Sequence, residues 1–132
     1  MLFDVLKNAC RVEALQLGSI EKIERALVLY LVVAWRIAYL MRSGRTCPDL
    51  DATLFFDPDD IHSAYLLNDQ DAPDKPTLND LLRLVARLGG FLGRKSDVHP
   101  GLKTIWLGLK EVYVAAKTMG KLRERAAAKT CV

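Results

Sequence analysis

The run Asp57-Pro58-Asp59-Asp60 is the densest group of side chains that could carry chemistry. Neighbouring carboxylates can bind a divalent cation or serve as acid and base. The same run is also a strong helix start, with Asp57 as N-cap, proline at the first helical position and two acids in the first turn. Because helix capping accounts for each of its residues, we interpret the run as a cap and predict no metal site.

The other reactive residues do not combine into a catalytic set. His62 and His99 fall in different predicted elements, and no serine or cysteine stands near them at the spacing of a nucleophile. The three cysteines, Cys10, Cys47 and Cys131, are far apart and form no Cys-x-x-Cys pair, which indicates reduced thiols rather than zinc ligands. We therefore predict no catalytic residue, no cofactor and no small-molecule substrate for this chain.

Length and composition predict one domain over residues 1–132, since 51% of the residues are hydrophobic and 27% are charged. The longest stretch without a charge or proline, residues 26–35, is shorter than the roughly 18–20 residues that cross a bilayer. Asp4 stands where a secretory signal would carry basic residues. We therefore expect a cytoplasmic protein without a membrane span.

The net charge of +3 is unevenly distributed along the chain. Residues 1–80 hold 8 Lys/Arg and 13 Asp/Glu, whereas residues 81–132 hold 11 Lys/Arg and 3 Asp/Glu. A basic half is what a surface facing nucleic-acid phosphates needs. A solvated basic helix end would have the same composition, so charge alone leaves both interpretations open.

The spacing of apolar residues predicts an all-α fold, an irregular bundle of about five helices with a long central helix and a long amphipathic C-terminal helix. No segment shows the alternation of a strand. The first predicted helix is already under way at Met1 and carries Phe3, Leu6 and Cys10 on one face. The others run from Ile20 to Met41 behind the N-cap Ser19, from the N-cap Asp57 to near Leu67, from the N-cap Thr77 to the stop signal Gly89-Gly90, and from Leu102 to Met119 ahead of a basic tail.

The central helix is apolar nearly all round, with Ile23, Leu27, Leu31 and Trp35 among the residues on one face, so we expect it to be packed on most sides. The last helix carries a continuous apolar stripe, and Gly108 within it could let a partner approach closely. The domain's own core needs one such stripe, so dimerisation requires a second face. The stripe residues are Leu102, Ile105, Trp106, Leu109, Val112 and Tyr113.

Three segments together resemble the C-terminal part of bacterial cut-and-paste insertion-sequence transposases of the DDE, ribonuclease-H-like type. Residues 6–13 are similar to the end of the family's Tyr, Arg, Glu, Lys signature, and residues 23–36 to its long helix beyond the active site. Residues 86–95, which read Ala-Arg-Leu-Gly-Gly-Phe-Leu-Gly-Arg-Lys, followed by residues 100–106, are the most specific match.

The resemblance implies a non-catalytic fragment of a larger enzyme. It aligns Lys7 with the signature lysine, so the catalytic glutamate would fall just before Met1, and residues 1–10 would end the helix that carries it. The family's two catalytic aspartates would also lie upstream. Divalent Mg²⁺ or Mn²⁺ is thus implied for the full-length enzyme and not for this chain.

The resemblance also implies the partners: transposon-end DNA and a second subunit. Lys7 would contact the DNA backbone near the scissile phosphate, with Arg11 one helical turn away, and Arg94 and Lys95 lie on a loop where they can reach phosphates. A homodimer would form through the C-terminal helix stripe. The alternative is a free-standing helical interaction protein, a transposase remnant that inhibits the full-length enzyme by forming mixed dimers; the reading frame before Met1 would separate the two.

Overall fold

The computed structural model describes residue 7, residues 18–94 and residues 99–130. These residues form four α-helices and one 3-10 turn, and they contain no strand beyond an isolated antiparallel bridge between Asp51 and Thr77. The predicted all-α class is therefore confirmed, while the first predicted helix falls almost wholly outside the described residues. The elements are α1 (Ile20–Thr46), the 3-10 turn (Ala52–Leu54), α2 (Pro58–Leu66), α3 (Leu78–Leu88) and α4 (Leu102–Thr130).

The helices begin where the capping signals predicted. The Ser19 hydroxyl accepts a hydrogen bond from the Lys22 N–H, and the Thr77 hydroxyl accepts one from the Asp80 N–H at 3.2 Å. Thr77 also donates its hydroxyl to the Asp80 carboxylate at 2.8 Å. This side-chain contact differs from a capping box, in which the carboxylate accepts from the N–H of the cap residue. Asp57 precedes α2 in an extended conformation, although its side chain makes no capping hydrogen bond.

The core lies around α3, which packs against α4, α1 and α2. Each large apolar side chain that is fully buried stabilises the fold by about 1.5–3 kcal/mol relative to an exposed one. The largest of these side chains are Ile37 and Leu40 of α1, Leu78, Leu81 and Val85 of α3, and Ile105, Leu109 and Val112 of α4.

Glycines allow the backbones of α3 and α4 to meet directly. A Cβ on Gly108 would lie 1.7 Å from the Val85 carbonyl oxygen, and one on Gly89 would lie 1.8 Å from that of Thr104. The prediction that Gly108 lets a partner approach is corrected here, because the neighbour is α3 of the same chain. Gly89 caps α3 as predicted, and Gly90 follows with a φ of +94°.

Both long helices extend beyond their predicted ends. α1 continues past Met41 to Thr46, so Gly44 does not end the helix. A Cβ at Gly44 would lie 2.6 Å from the Leu82 side chain, and the glycine therefore lets that side chain of α3 pack against α1. α4 continues from Met119 to Thr130, and the predicted basic tail is thus helical. Residues 121–130 are all exposed.

α1 is packed mainly in its C-terminal half. Its buried residues lie between Ala34 and Gly44, and Tyr30 and Val33 before them are partly buried against the core. The other large apolar residues of the first half are exposed: Ile20, Ile23, Leu27, Val28, Leu29, Leu31 and Val32. The expectation that this helix is packed on most sides is therefore wrong for the described structure.

By length and composition alone, α1 could also cross a membrane. A helical segment of this length is apolar enough when it includes the charges of Arg36 and Arg42, whereas the uncharged stretch alone is too short. Core helices of soluble proteins and signal sequences meet the same criteria, so the absence of a membrane span stays a prediction.

Candidate functional site

The predicted interface stripe of α4 contributes to the core of its own chain. Ile105, Leu109 and Val112 are 1%, 2% and 1% exposed. Leu102 and Trp106 are partly buried and pack against the same core cluster. Intramolecular packing therefore accounts for five of the six stripe residues, whereas Tyr113 is 36% exposed. Contact of the stripe with a second subunit stays a prediction.

Arg36 connects three parts of the fold at the edge of this core. Its Nη2 donates a hydrogen bond to the Phe55 carbonyl oxygen at 3.2 Å, and its guanidinium lies 5.8 Å from the Phe56 ring and 5.9 Å from the Tyr113 ring. These distances allow cation–π attraction. Burial, partly offset by the Arg36 charge, raises the pKa of Tyr113. The role of Arg36 was not predicted from the sequence. The only feature that could have indicated it is that Arg36 is the single charge that ends the apolar stretch of residues 26–35.

Two exposed aromatic side chains lie on the side of α1 away from its buried residues. Trp35 and Tyr39 stack with ring centroids 5.4 Å apart and an interplanar angle of 5°, and Tyr39 also contacts Phe55 at 5.8 Å. Trp35 is 61% exposed and Tyr39 is 48% exposed. Aromatic residues are enriched at protein interfaces, where they act as anchors. This pair is therefore a candidate contact.

The aromatic pair belongs to a larger apolar surface that we call the exposed α1 face. Its members each expose on the order of 100 Å², which gives a patch of roughly 700 Å², larger than the ~300–600 Å² typical of the largest patch on a monomer. Such patches mark binding sites. The exposed α1 face comprises Ile20, Leu27, Val28, Leu31, Val32, Trp35 and Tyr39. Sequence reasoning assigned several of these residues to the core.

The predicted DNA-contact residues are only partly described. Lys7 and Arg94 are exposed, whereas Arg11 and Lys95 lie outside the described residues. Arg94 stands in the segment between α3 and α4 that follows Gly90. The assignment of these four residues to DNA stays a prediction.

The acidic run has structural contacts. Asp59 accepts a hydrogen bond from Arg123 at 2.7 Å, which ties the start of α2 to the distal part of α4. Burial, and after it the charge of Asp57, raises the pKa of Asp60. Within residues 18–94 and 99–130, no group of three His, Cys, Asp or Glu side chains is placed to hold a metal ion.

Comparison with known proteins shows which family this chain resembles. The family model described as the transposase Tn5 dimerisation domain matches residues 32–129. The match covers α1 from Val32 onward, α2, α3 and almost all of α4. The comparisons with curated proteins and with solved structures found no match.

Proposed function

Because the chain belongs to the transposase Tn5 dimerisation domain family, we propose that it acts in DNA transposition by holding two transposase subunits together. The family match over residues 32–129 carries this proposal. The exposed α1 face also supports a protein partner, because apolar patches of this size mark binding sites. Only Val32, Trp35 and Tyr39 of this face lie within the matched residues.

In this proposal the chain is the non-catalytic C-terminal region of the enzyme and works in the cytoplasm. The acidic run at 57–60 is used for a helix start and for the contact of Asp59 with Arg123, which supports a structural role. DDE transposases cut and join DNA with carboxylates that hold two metal ions. Those carboxylates, and the Mg²⁺ or Mn²⁺ bound to them, would belong to another part of the full-length enzyme.

The chain would also contact transposon-end DNA through Lys7, Arg11, Arg94 and Lys95. The exposure of Lys7 and Arg94 and the basic composition of residues 81–132 support this part of the proposal. Such contacts reach phosphates rather than base edges, so they add affinity without sequence choice.

Sedimentation equilibrium of the full chain tests the dimerisation role. We expect a particle of twice the 14.8 kDa of one chain. A substitution such as Leu109→Asp is uninformative, because Leu109 is 2% exposed and an aspartate there would unfold the core. A chain that remains monomeric up to about 100 µM, far above a typical nM–µM Kd, would contradict the proposal.

Fluorescence anisotropy with two unrelated DNA duplexes tests the DNA contacts. Lys7→Ala or Arg94→Ala should weaken binding to both duplexes alike and reduce the salt slope by about 1. Lys75→Ala is the matched control, since Lys75 is also exposed but lies in an acidic loop. An effect on one duplex only, or an equal effect of Lys75→Ala, would contradict contact with phosphates by Lys7 and Arg94.

A further inference from the structure

The exposed α1 face belongs to the described helix with the most exposed large apolar side chains, and four pairs of positions on this side of α1 lie symmetrically about position 33. Five of the seven residues of the face belong to these pairs, whereas Ile20 and Val32 do not, because their counterparts are Thr46 and the buried Ala34. The pairs are Leu31 with Trp35, Val28 with Ala38, Leu27 with Tyr39, and Glu24 with Arg42. At 3.6 residues per turn these eight positions share one side of α1, away from the buried side that holds Ile37, Leu40 and Met41.

This symmetry fits an antiparallel pair of identical helices. In such a pair, a two-fold axis at the level of position 33 brings each residue of a matched set next to its counterpart on the other helix. Leu31 then meets the partner's Trp35, and Leu27 meets the partner's Tyr39. A two-fold axis of this kind gives an isologous interface, in which both subunits use the same patch.

The charges at the ends of the face determine the orientation. Glu24 and Arg42 are exposed, and neither takes part in an ion pair within the described part of the chain. They lie about 27 Å apart along α1, given a rise of 1.5 Å per residue. An antiparallel arrangement places Glu24 beside the partner's Arg42 at both ends, whereas a parallel one would place like charges side by side.

We propose that a second copy of this chain covers the exposed α1 face, with the two α1 helices antiparallel and crossing near Leu31 and Trp35. This inference rests on the proposed dimerisation function and identifies its contact surface. The patch of roughly 700 Å² is close to the ~800 Å² that each partner contributes to a standard interface. It also explains how the domain dimerises while the α4 stripe remains in its own core.

A charge-swap experiment on the full chain tests the pairing by sedimentation velocity over a concentration series. Glu24→Arg and Arg42→Glu should each raise the dimer dissociation constant by about 10-fold or more, because each places like charges together at both ends of the interface. The double variant Glu24→Arg/Arg42→Glu should restore the wild-type constant. Failure of the double variant to recover would overturn the inference.

Two apolar-to-acidic substitutions locate the contact on the surface. Leu31→Asp should yield a monomer, whereas Val114→Asp on α4, where the side chain is 66% exposed, should leave the dimer unchanged. Circular dichroism should show the same helicity for both variants and the wild type. A dimer that tolerates Leu31→Asp but not Val114→Asp would place the contact on α4, which overturns the inference and preserves the proposed function.

The remaining outcomes separate the inference from the function on which it rests. A wild-type chain that is monomeric at all concentrations contradicts both. A monomeric wild-type chain that floats with neutral phospholipid vesicles, and loses that binding in Leu31→Asp, assigns the face to lipid and overturns the inference.

Discussion

The direct contact between the backbones of α3 and α4 makes a strong prediction about Gly108. A Cβ at this position would lie 1.7 Å from the Val85 carbonyl oxygen, whereas real Cβ contacts essentially never fall below 3.0 Å. The obstacle is main chain rather than a flexible side-chain end. Gly108→Ala should therefore force the two helices apart where Ile105 and Leu109 pack into the core.

The magnitude follows from two opposing effects. Overpacking a core costs about 1–3 kcal/mol, and the rigid backbone obstacle places this site near 3 kcal/mol. Alanine is better than glycine in a helix interior by about 1 kcal/mol. The free energy of unfolding should thus fall by about 2 kcal/mol in Gly108→Ala.

Gly120 in the same helix provides the matched control, because nothing lies within 4 Å of a Cβ there. Gly120→Ala should raise the free energy of unfolding by up to about 1 kcal/mol through helix propensity alone. Urea denaturation followed by circular dichroism, at one protein concentration because subunit association also stabilises the fold, measures both. Equal changes in the two variants would refute the described close approach of α3 and α4.

Two further predictions concern side chains at the edge of the core. Arg36→Lys should lower the free energy of unfolding by about 1 kcal/mol, because a single ammonium cannot both donate to the Phe55 carbonyl and lie over two rings. A lysine variant with the same urea midpoint as the wild type would argue against a stabilising role of these Arg36 contacts. Since the pKa of Asp60 is raised above its usual 3.8, its protonated form is favoured in the folded state, and stability falls as the pH rises through the folded pKa. Asp60→Asn should therefore be more stable than the wild type at pH 7 and lose that advantage below pH 3.8, which urea titrations at the two pH values would check.

Local signals predicted the helix starts because capping is decided by neighbouring residues. Ser19 and Thr77 bind the first-turn amides of their own helices, and Gly89 ends α3. Gly44 and Gly108 were misinterpreted because their role depends on another helix. A glycine that stops a helix and a glycine that lets two helices touch are identical in sequence, so the C-terminal end of α1 could not be predicted.

The packed side of α1 was also beyond local reasoning. Periodicity identifies an apolar side only when the other side is polar, and α1 is apolar nearly all round. The predicted face containing Leu27 and Leu31 is exposed, while Ile37 and Leu40 are buried. On α4, five of the six residues of the predicted interface stripe pack within the chain, because amphipathicity alone does not distinguish packing within one chain from packing between two. The DNA-contact assignments stay predictions.

The anchoring of α1 at one end gives it the mechanics of a cantilever. Its contacts with the core begin at Tyr30, so the segment from Ile20 to Leu29 extends beyond them by about 15 Å at 1.5 Å per residue. A tilt of roughly 10° at the anchored end would move Ile20 by about 2.6 Å over that length. A substitution that loosens the contact between Gly44 and Leu82 would therefore displace Ile20 more than it displaces the altered residue itself.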